Sequence, residues 1–202
     1  MFNLIRKDIL LQKTTLMILL PVLILSLTQD LSYIYIGFIF SIVIILNAFT
    51  SDDKSSINTL LNSLPYTRKE IVSSKYIGAF IFVLTIVFTI FIGNLIINRE
   101  LTIWKELGFI ISIVMVSISF IFPFSYKFKS QYLLTAAVVS FVIYMLIISF
   151  FIQNLNDKIR ELVGMLLTLQ NSQLYLIIAF SVIILYVCSW LLSIRIYSKK
   201  VF

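Results

Sequence analysis

The chain alternates between long uncharged stretches and short charged ones. The runs Thr14–Gln29, Leu31–Ser51, Tyr76–Asn98, Leu107–Tyr126, Ser130–Asn156 and Leu162–Ile194 hold no Asp, Glu, Lys or Arg. Crossing the hydrocarbon core of a bilayer takes about 20 mostly apolar residues in a helix. No water is available there, so such a segment satisfies its backbone polar groups internally by becoming helical. The pattern predicts an all-α polytopic membrane protein, one transmembrane domain over residues 1–202. Six transmembrane helices are expected at about 14–29, 32–51, 70–98, 107–126, 130–153 and 173–195. The last run is too long for one crossing and divides near Asn171.

Shorter amphipathic patterns lie between the runs. In residues 1–13, Phe2, Ile5 and Ile9 fall on one side, with Arg6, Lys7 and Lys13 elsewhere. That reads as an N-terminal interfacial helix leading into the first span. In residues 53–64, Ile57, Leu60, Leu61 and Leu64 sit at i, i+3, i+4 and i+7, an apolar stripe on a short helix. Asp52 and Asp53 stand where a helix N-terminus favours negative charge, and Pro65 discourages continuation. Thr67-Arg68-Lys69-Glu70 then reads as a capping box that starts the third span. An amphipathic helix of the 53–64 kind suits either the headgroup layer or a docking partner. Beyond the fifth span, Ile159, Leu162, Val163, Leu166 and Leu169 repeat at helical spacing, as a short outer re-entrant or interfacial helix would.

Charge orients these elements. Arg6, Lys7, Lys13, Lys54, Arg68, Lys69, Lys75, Lys127, Lys129, Arg195, Lys199 and Lys200 fall on one side of the six-span arrangement; Arg99, Lys105, Lys158 and Arg160 fall on the other. The positive-inside bias puts the first group, and both termini, in the cytoplasm. The net charge of +7 therefore marks orientation and not nucleic-acid binding. Composition agrees, with 60% hydrophobic and only 12% charged residues, against about 25% charged in soluble domains. Mean hydropathy is +1.06. Tyr33, Tyr35, Trp104 and Tyr175 near the outer boundaries, and Tyr66, Tyr76, Tyr126, Tyr132, Trp190 and Tyr197 near the inner ones, read as interfacial aromatics. Basic residues precede the first apolar run, but Ser26-Leu27-Thr28-Gln29-Asp30 offers no small-x-small cleavage site, so the first span is expected to be retained.

Chemistry inside the spans is sparse. No ionisable residue falls in the middle of a predicted span, which argues against ion-coupled transport. Asn47, Asn94, Thr85 and Thr89 are the polar positions singled out, for span packing or for a translocation path. Thr85, Thr89 and Gly93 recur every four residues, and Thr135, Ala136 and Ser140 form a second small-residue patch. Pro21 and Pro123 are expected to kink or loosen their helices. The sequence has no His, one Cys and no Gly-x-x-x-x-Gly-Lys-Ser/Thr loop. A zinc site and a His-based triad are thereby excluded, and this chain is not expected to hydrolyse ATP itself or to be an enzyme. The leading classes of function are a membrane subunit driven by a separate ATPase and an ATP-independent channel, secondary transporter or toxin-immunity protein; an intramembrane enzyme is the least favoured, given the missing catalytic residue types.

Three segments carry a resemblance. Asn3-Leu4-Ile5-Arg6-Lys7-Asp8, the junction Leu64-Pro65-Tyr66-Thr67-Arg68-Lys69-Glu70-Ile71-Val72-Ser73-Ser74-Lys75-Tyr76 and the tail Tyr197-Ser198-Lys199-Lys200-Val201-Phe202 resemble the small membrane subunits of ABC-2-type transporters. The resemblance implies that residues 1–13 match the family's elbow helix and that 53–64 match its coupling helix. Asp53, Lys54, Ile57, Leu60, Leu61, Leu64 and Arg68 would then contact a cytosolic ABC ATPase subunit. It implies re-entrant helices around 154–170 and a second copy of this or a related permease. ATP and Mg would sit in the partner and no cofactor in this chain. The setting would be a bacterial cytoplasmic membrane. Permeases of this size are similar to peptide exporters such as the phenol-soluble modulin exporters, which implies amphipathic or antimicrobial peptides as substrates.

Overall fold

A computed structural model describes residues 2–29, 32–52, 66–97, 99, 104–128, 132, 135, 139, 143, 158, 161–165 and 172–199. These contain long helices and, among the described residues, no strand: α1 (Phe2–Ser26), α2 (Tyr33–Asp52), α3 (Arg68–Ile97), α4 (Trp104–Lys127) and α5 (Ser172–Ser198). Four of them, α1, α3, α4 and α5, are long and apolar enough to cross a membrane. The 20-residue α2 carries a shorter apolar stretch, Tyr33–Ala48.

One expected boundary is absent. Residues 2–26 form a single helix of 25 residues, where the sequence reading separates an interfacial helix at 1–13 from a span at 14–29. No glycine or proline interrupts the chain at Lys13–Thr14, and the helix runs on through Thr14 and Thr15. The helix also continues through Pro21, as α4 does through Pro123. Of the predicted fifth span, only Tyr132, Thr135, Val139 and Ile143 are described, each helical and exposed. Ala136 and Ser140 lie outside the described residues. Of the outer segment 154–170, Lys158 and residues 161–165 are described and helical.

Serine and threonine enter these apolar helices at low cost by bonding their own backbone. Ser112, Ser117, Ser119 and Ser125 each donate to the carbonyl four residues earlier in α4, at 2.8–2.9 Å.

α3 is the hub, touching each of the other four helices. Its Val72, Tyr76, Val83, Ile86 and Ile90 are completely buried, while Phe80, Leu84, Phe88 and Ile96 are exposed on the other face. Ile110, Val114, Ile118 and Phe122 bury the matching stripe of α4 at every fourth residue. Both faces of these helices are apolar, so hydrophobicity alone does not say which packs and which meets lipid. Small residues do. A Cβ on Gly37 of α2 would come within 2.9–3.0 Å of Ile110 on α4 and 3.0 Å of Ile90 on α3. A Cβ on Gly93 of α3 would stand 2.5 Å from Leu27, just past the end of α1. The backbones approach closely at these points because the side chains are missing.

Candidate functional site

α1 and α3 run one way and α2, α4 and α5 the other, and contacts group their ends. One end brings together Asp8 with Lys75, Thr15 with Asn47, Tyr126 with Tyr197, and Arg68 with the carbonyls of Tyr197 and Ser198. The other brings together Leu27 with Gly93, Tyr33 with Asn94, and Phe91 with Trp104. Most of the described basic residues lie at the first end.

The centre of that end is the start of α3. Thr67 and Glu70 form the capping box read from the sequence: the Thr67 N–H donates to Glu70 Oε2 at 2.9 Å, and the Glu70 N–H donates to Thr67 Oγ1 at 3.3 Å. The first helical residue, Arg68, donates from Nη1 to the Tyr197 and Ser198 carbonyls at 3.2 and 3.0 Å. Those carbonyls lie in the last turn of α5. One turn further, Trp190 Nε1 donates to Ser73 Oγ at 3.1 Å.

Deeper in the bundle, Tyr76 joins α3 to α5 and α4. Its hydroxyl lies 2.8 Å from both Ser189 and Ser193, and Ser189 in turn donates to the Ser119 carbonyl at 2.7 Å. Tyr186 donates to the Tyr76 carbonyl at 2.8 Å. The Tyr76 ring stacks on Trp190 and meets Phe122 and Tyr186 edge-on, at 5.8, 4.7 and 5.2 Å between centroids. By sequence, Tyr76, Tyr126 and Tyr197 read as headgroup-layer residues. They are instead buried in the protein, because their rings find aromatic and hydroxyl partners on neighbouring helices. Tyr35 and Trp104 are exposed, as interfacial aromatics would be.

The same end holds a buried ion pair. Lys75 Nζ lies 3.0 Å from Asp8 Oδ1, linking α3 to α1 with both side chains under 10% exposed. Sequence reasoning counted Lys75 among the residues of a connection and assigned Asp8 no role. The signal for Asp8 is its spacing: Leu4, Asp8 and Gln12 recur every fourth residue and are all buried, so the polar members lie on the packed face. Gln12 Nε2 donates to the Ile44 carbonyl of α2 at 3.3 Å.

The remaining predicted site residues separate into two groups. Asn47 Nδ2 donates to Thr15 Oγ1 at 2.8 Å, and buried Asn94 accepts from the Tyr33 hydroxyl at 2.8 Å, so each amide bridges two helices. Thr85 and Thr89 turn their hydroxyls onto carbonyls of their own helix, at 2.9 and 2.8 Å. Of the Thr85, Thr89 and Gly93 series, Gly93 is the position that meets Leu27. Asp53, Lys54, Ile57, Leu60, Leu61 and Leu64 lie outside the described residues. Arg68 alone of the predicted ATPase contacts is described. Among the described residues no cluster of His, Cys, Asp and Glu could hold a metal ion.

Long apolar helices, basic residues gathered at one end and polar bridges between helices define a multi-pass membrane protein. The family model described as ABC-2 family transporter protein matches residues 3–198, and the chain belongs to that family. It is thus a membrane component of a transport system. No curated protein and no solved structure matches the chain.

Proposed function

We propose that this chain is the permease subunit of an exporter driven by a separate cytosolic ABC ATPase. The observation that carries the reading is the joint at the start of α3. Segment 53–64, the expected coupling helix, leads directly into it. From that point a displacement reaches α5 through Arg68 and Trp190, α1 through Lys75, and α4 through Tyr76 and Ser189. A partner pressing on 53–64 would thus move several helices through named contacts. It does work only if it binds differently in its two nucleotide states.

In this reading the basic end and both termini face the cytosol of a bacterium. Two permeases and two ATPases make the working unit, with ATP and Mg held by the ATPase. Ile57, Leu60, Leu61 and Leu64 form the docking face, and Asp53, Lys54 and Arg68 surround it. Asn47 and Asn94 hold the spans together. Amphipathic or antimicrobial peptides are the proposed substrates, on the strength of the family resemblance.

The test is co-expression with the ABC ATPase of the neighbouring reading frame, followed by affinity capture. Leu60→Asp with Leu61→Asp should leave membrane insertion intact and abolish both co-purification and substrate-stimulated ATP turnover. Unchanged assembly would remove the docking proposal. Failure of the parent chain to capture any ATPase would favour an ATP-independent membrane protein.

A further inference from the structure

Two ammonium groups converge on one carboxylate oxygen at the α1–α3 contact. Lys75 reaches Asp8 Oδ1 from α3 at 3.0 Å, and Lys7 reaches the same oxygen from α1 itself at 3.2 Å. The Lys75 side chain is 9% exposed and that of Lys7 29%. An ion pair in a low-dielectric interior resists separation, because parting the ions leaves each of them uncovered. Lys7 changes that balance. It belongs to the same helix as Asp8 and moves with it, so the carboxylate keeps a cation wherever α1 goes.

Lys75 also has somewhere to go. Its long apolar stem lets the ammonium shift toward the headgroup layer. Beside it lies a small, mostly apolar cavity bordered by Asp8, Ile45, Lys75, Gly78, Phe82 and Phe122, which leaves slack in the packing around the ammonium. Opening this contact therefore leaves Asp8 paired with Lys7 and requires only the Lys75 ammonium to regain water.

We infer that Asp8 is a latch between α1 and α3, closed by Lys75 and kept neutralised by Lys7 when α1 swings away from α3 at the basic end. Its place in a transport cycle rests on the permease reading above; the opening itself is a property of this chain alone.

The experiment places a thiol under the latch. Gly78→Cys suits this, because Gly78 is buried and a Cβ there meets nothing within 4 Å among the described residues. Cys188, exposed on α5, is first removed as Cys188→Ser. The full chain is reconstituted in phosphatidylethanolamine–phosphatidylglycerol bilayers left open to both sides. A charged maleimide then reads the rate at which the introduced thiol becomes accessible. Lys7→Gln should slow labelling about tenfold, the scale of one hydrogen bond to a charged group, and Lys7→Arg should restore the parent rate. Equal rates with Lys7 and with Lys7→Gln, or no labelling of any variant over hours, would overturn the latch. Adding the ATPase with ATP should raise the parent rate. A Lys7-dependent rate that ignores ATPase and ATP would support the latch and count against the permease reading.

Discussion

Arg68 and Ser198 join the beginning of one helix to the end of another: the guanidinium of Arg68 donates to the Ser198 carbonyl at 3.0 Å and to the Tyr197 carbonyl beside it at 3.2 Å. The positive group sits where the α5 dipole presents its negative end. The same residue follows directly on the capping box of α3. The first turn of α3 and the last turn of α5 are therefore one structural unit.

Arg68→Ala should loosen that unit without unfolding the bundle. The contact is partly exposed, so a loss of about 1 kcal/mol is expected. Amide hydrogen exchange should rise in the last turn of α5 and stay unchanged in α2. Arg68→Lys, with a single ammonium in place of the planar fork, should recover only part of the protection.

Asp8 and Lys75 should respond unequally to substitution. Asp8→Asn leaves the buried Lys75 without its carboxylate, which should cost about 3 kcal/mol or more. Lys75→Met leaves Asp8 with Lys7 at 3.2 Å and should cost distinctly less. Asp8→Leu with Lys75→Met should be milder than Asp8→Asn alone, since an apolar pair replaces the ions. Thermal unfolding in detergent micelles or nanodiscs ranks the three. Equal losses for the two single variants would contradict the role given to Lys7.

Tyr76 separates its hydroxyl from its ring. Tyr76→Phe removes the link to Ser189 and Ser193 and should cost about 0.6 kcal/mol and at most about 1.7, the mean and maximum measured for hydrogen bonds between membrane helices. Tyr76→Ala also removes a fully buried ring packed against Phe122, Tyr186 and Trp190, and about 3–5 kcal/mol is expected. Denaturation of purified protein should show the second loss to be well over the first.

The two tightly packed glycines should also differ. A methyl on Gly37 is hemmed in by Ile110 and Ile90 from two helices, so Gly37→Ala should destabilise by about 1–3 kcal/mol. Among the described residues, a methyl on Gly93 meets only the tip of Leu27, which can rotate away, so Gly93→Ala should cost less. Adding Leu27→Ala should relieve the Gly93→Ala clash and leave that of Gly37→Ala untouched. The comparison needs only unfolding midpoints.

Much of the helical framework is legible in the sequence, and the reason is the solvent. Charge-free runs leave little choice but helix, and the Thr67–Glu70 box needs only local chemistry to form. What escaped was the choice of face. Every span is apolar all round, so the positions that pack are picked by shape, as at Gly37 and Gly93, or by a partner distant in the chain. Tyr76 looks like an interfacial tyrosine until Ser189 and Ser193, more than a hundred residues later, are seen to meet it. Lys75 looks like a loop cation until α1 supplies Asp8. The continuity of α1 across Lys13 was missed for a related reason. An amphipathic start suggests a helix lying flat, whereas Asp8 and Gln12 are polar residues turned into the bundle. Asn47 and Asn94 were legible as polar groups in need of partners, but Thr15 and Tyr33 could not be named for them.

Segment 53–64 and the partner proposed for it are tested most directly by photo-crosslinking in cells. A photoreactive amino acid in place of Leu61 should yield one adduct with the mass of this chain plus the ABC ATPase, and the same group in place of Trp104, at the opposite end of the bundle, should yield none. Absence of that adduct at Leu61, or its appearance at Trp104, would contradict the account.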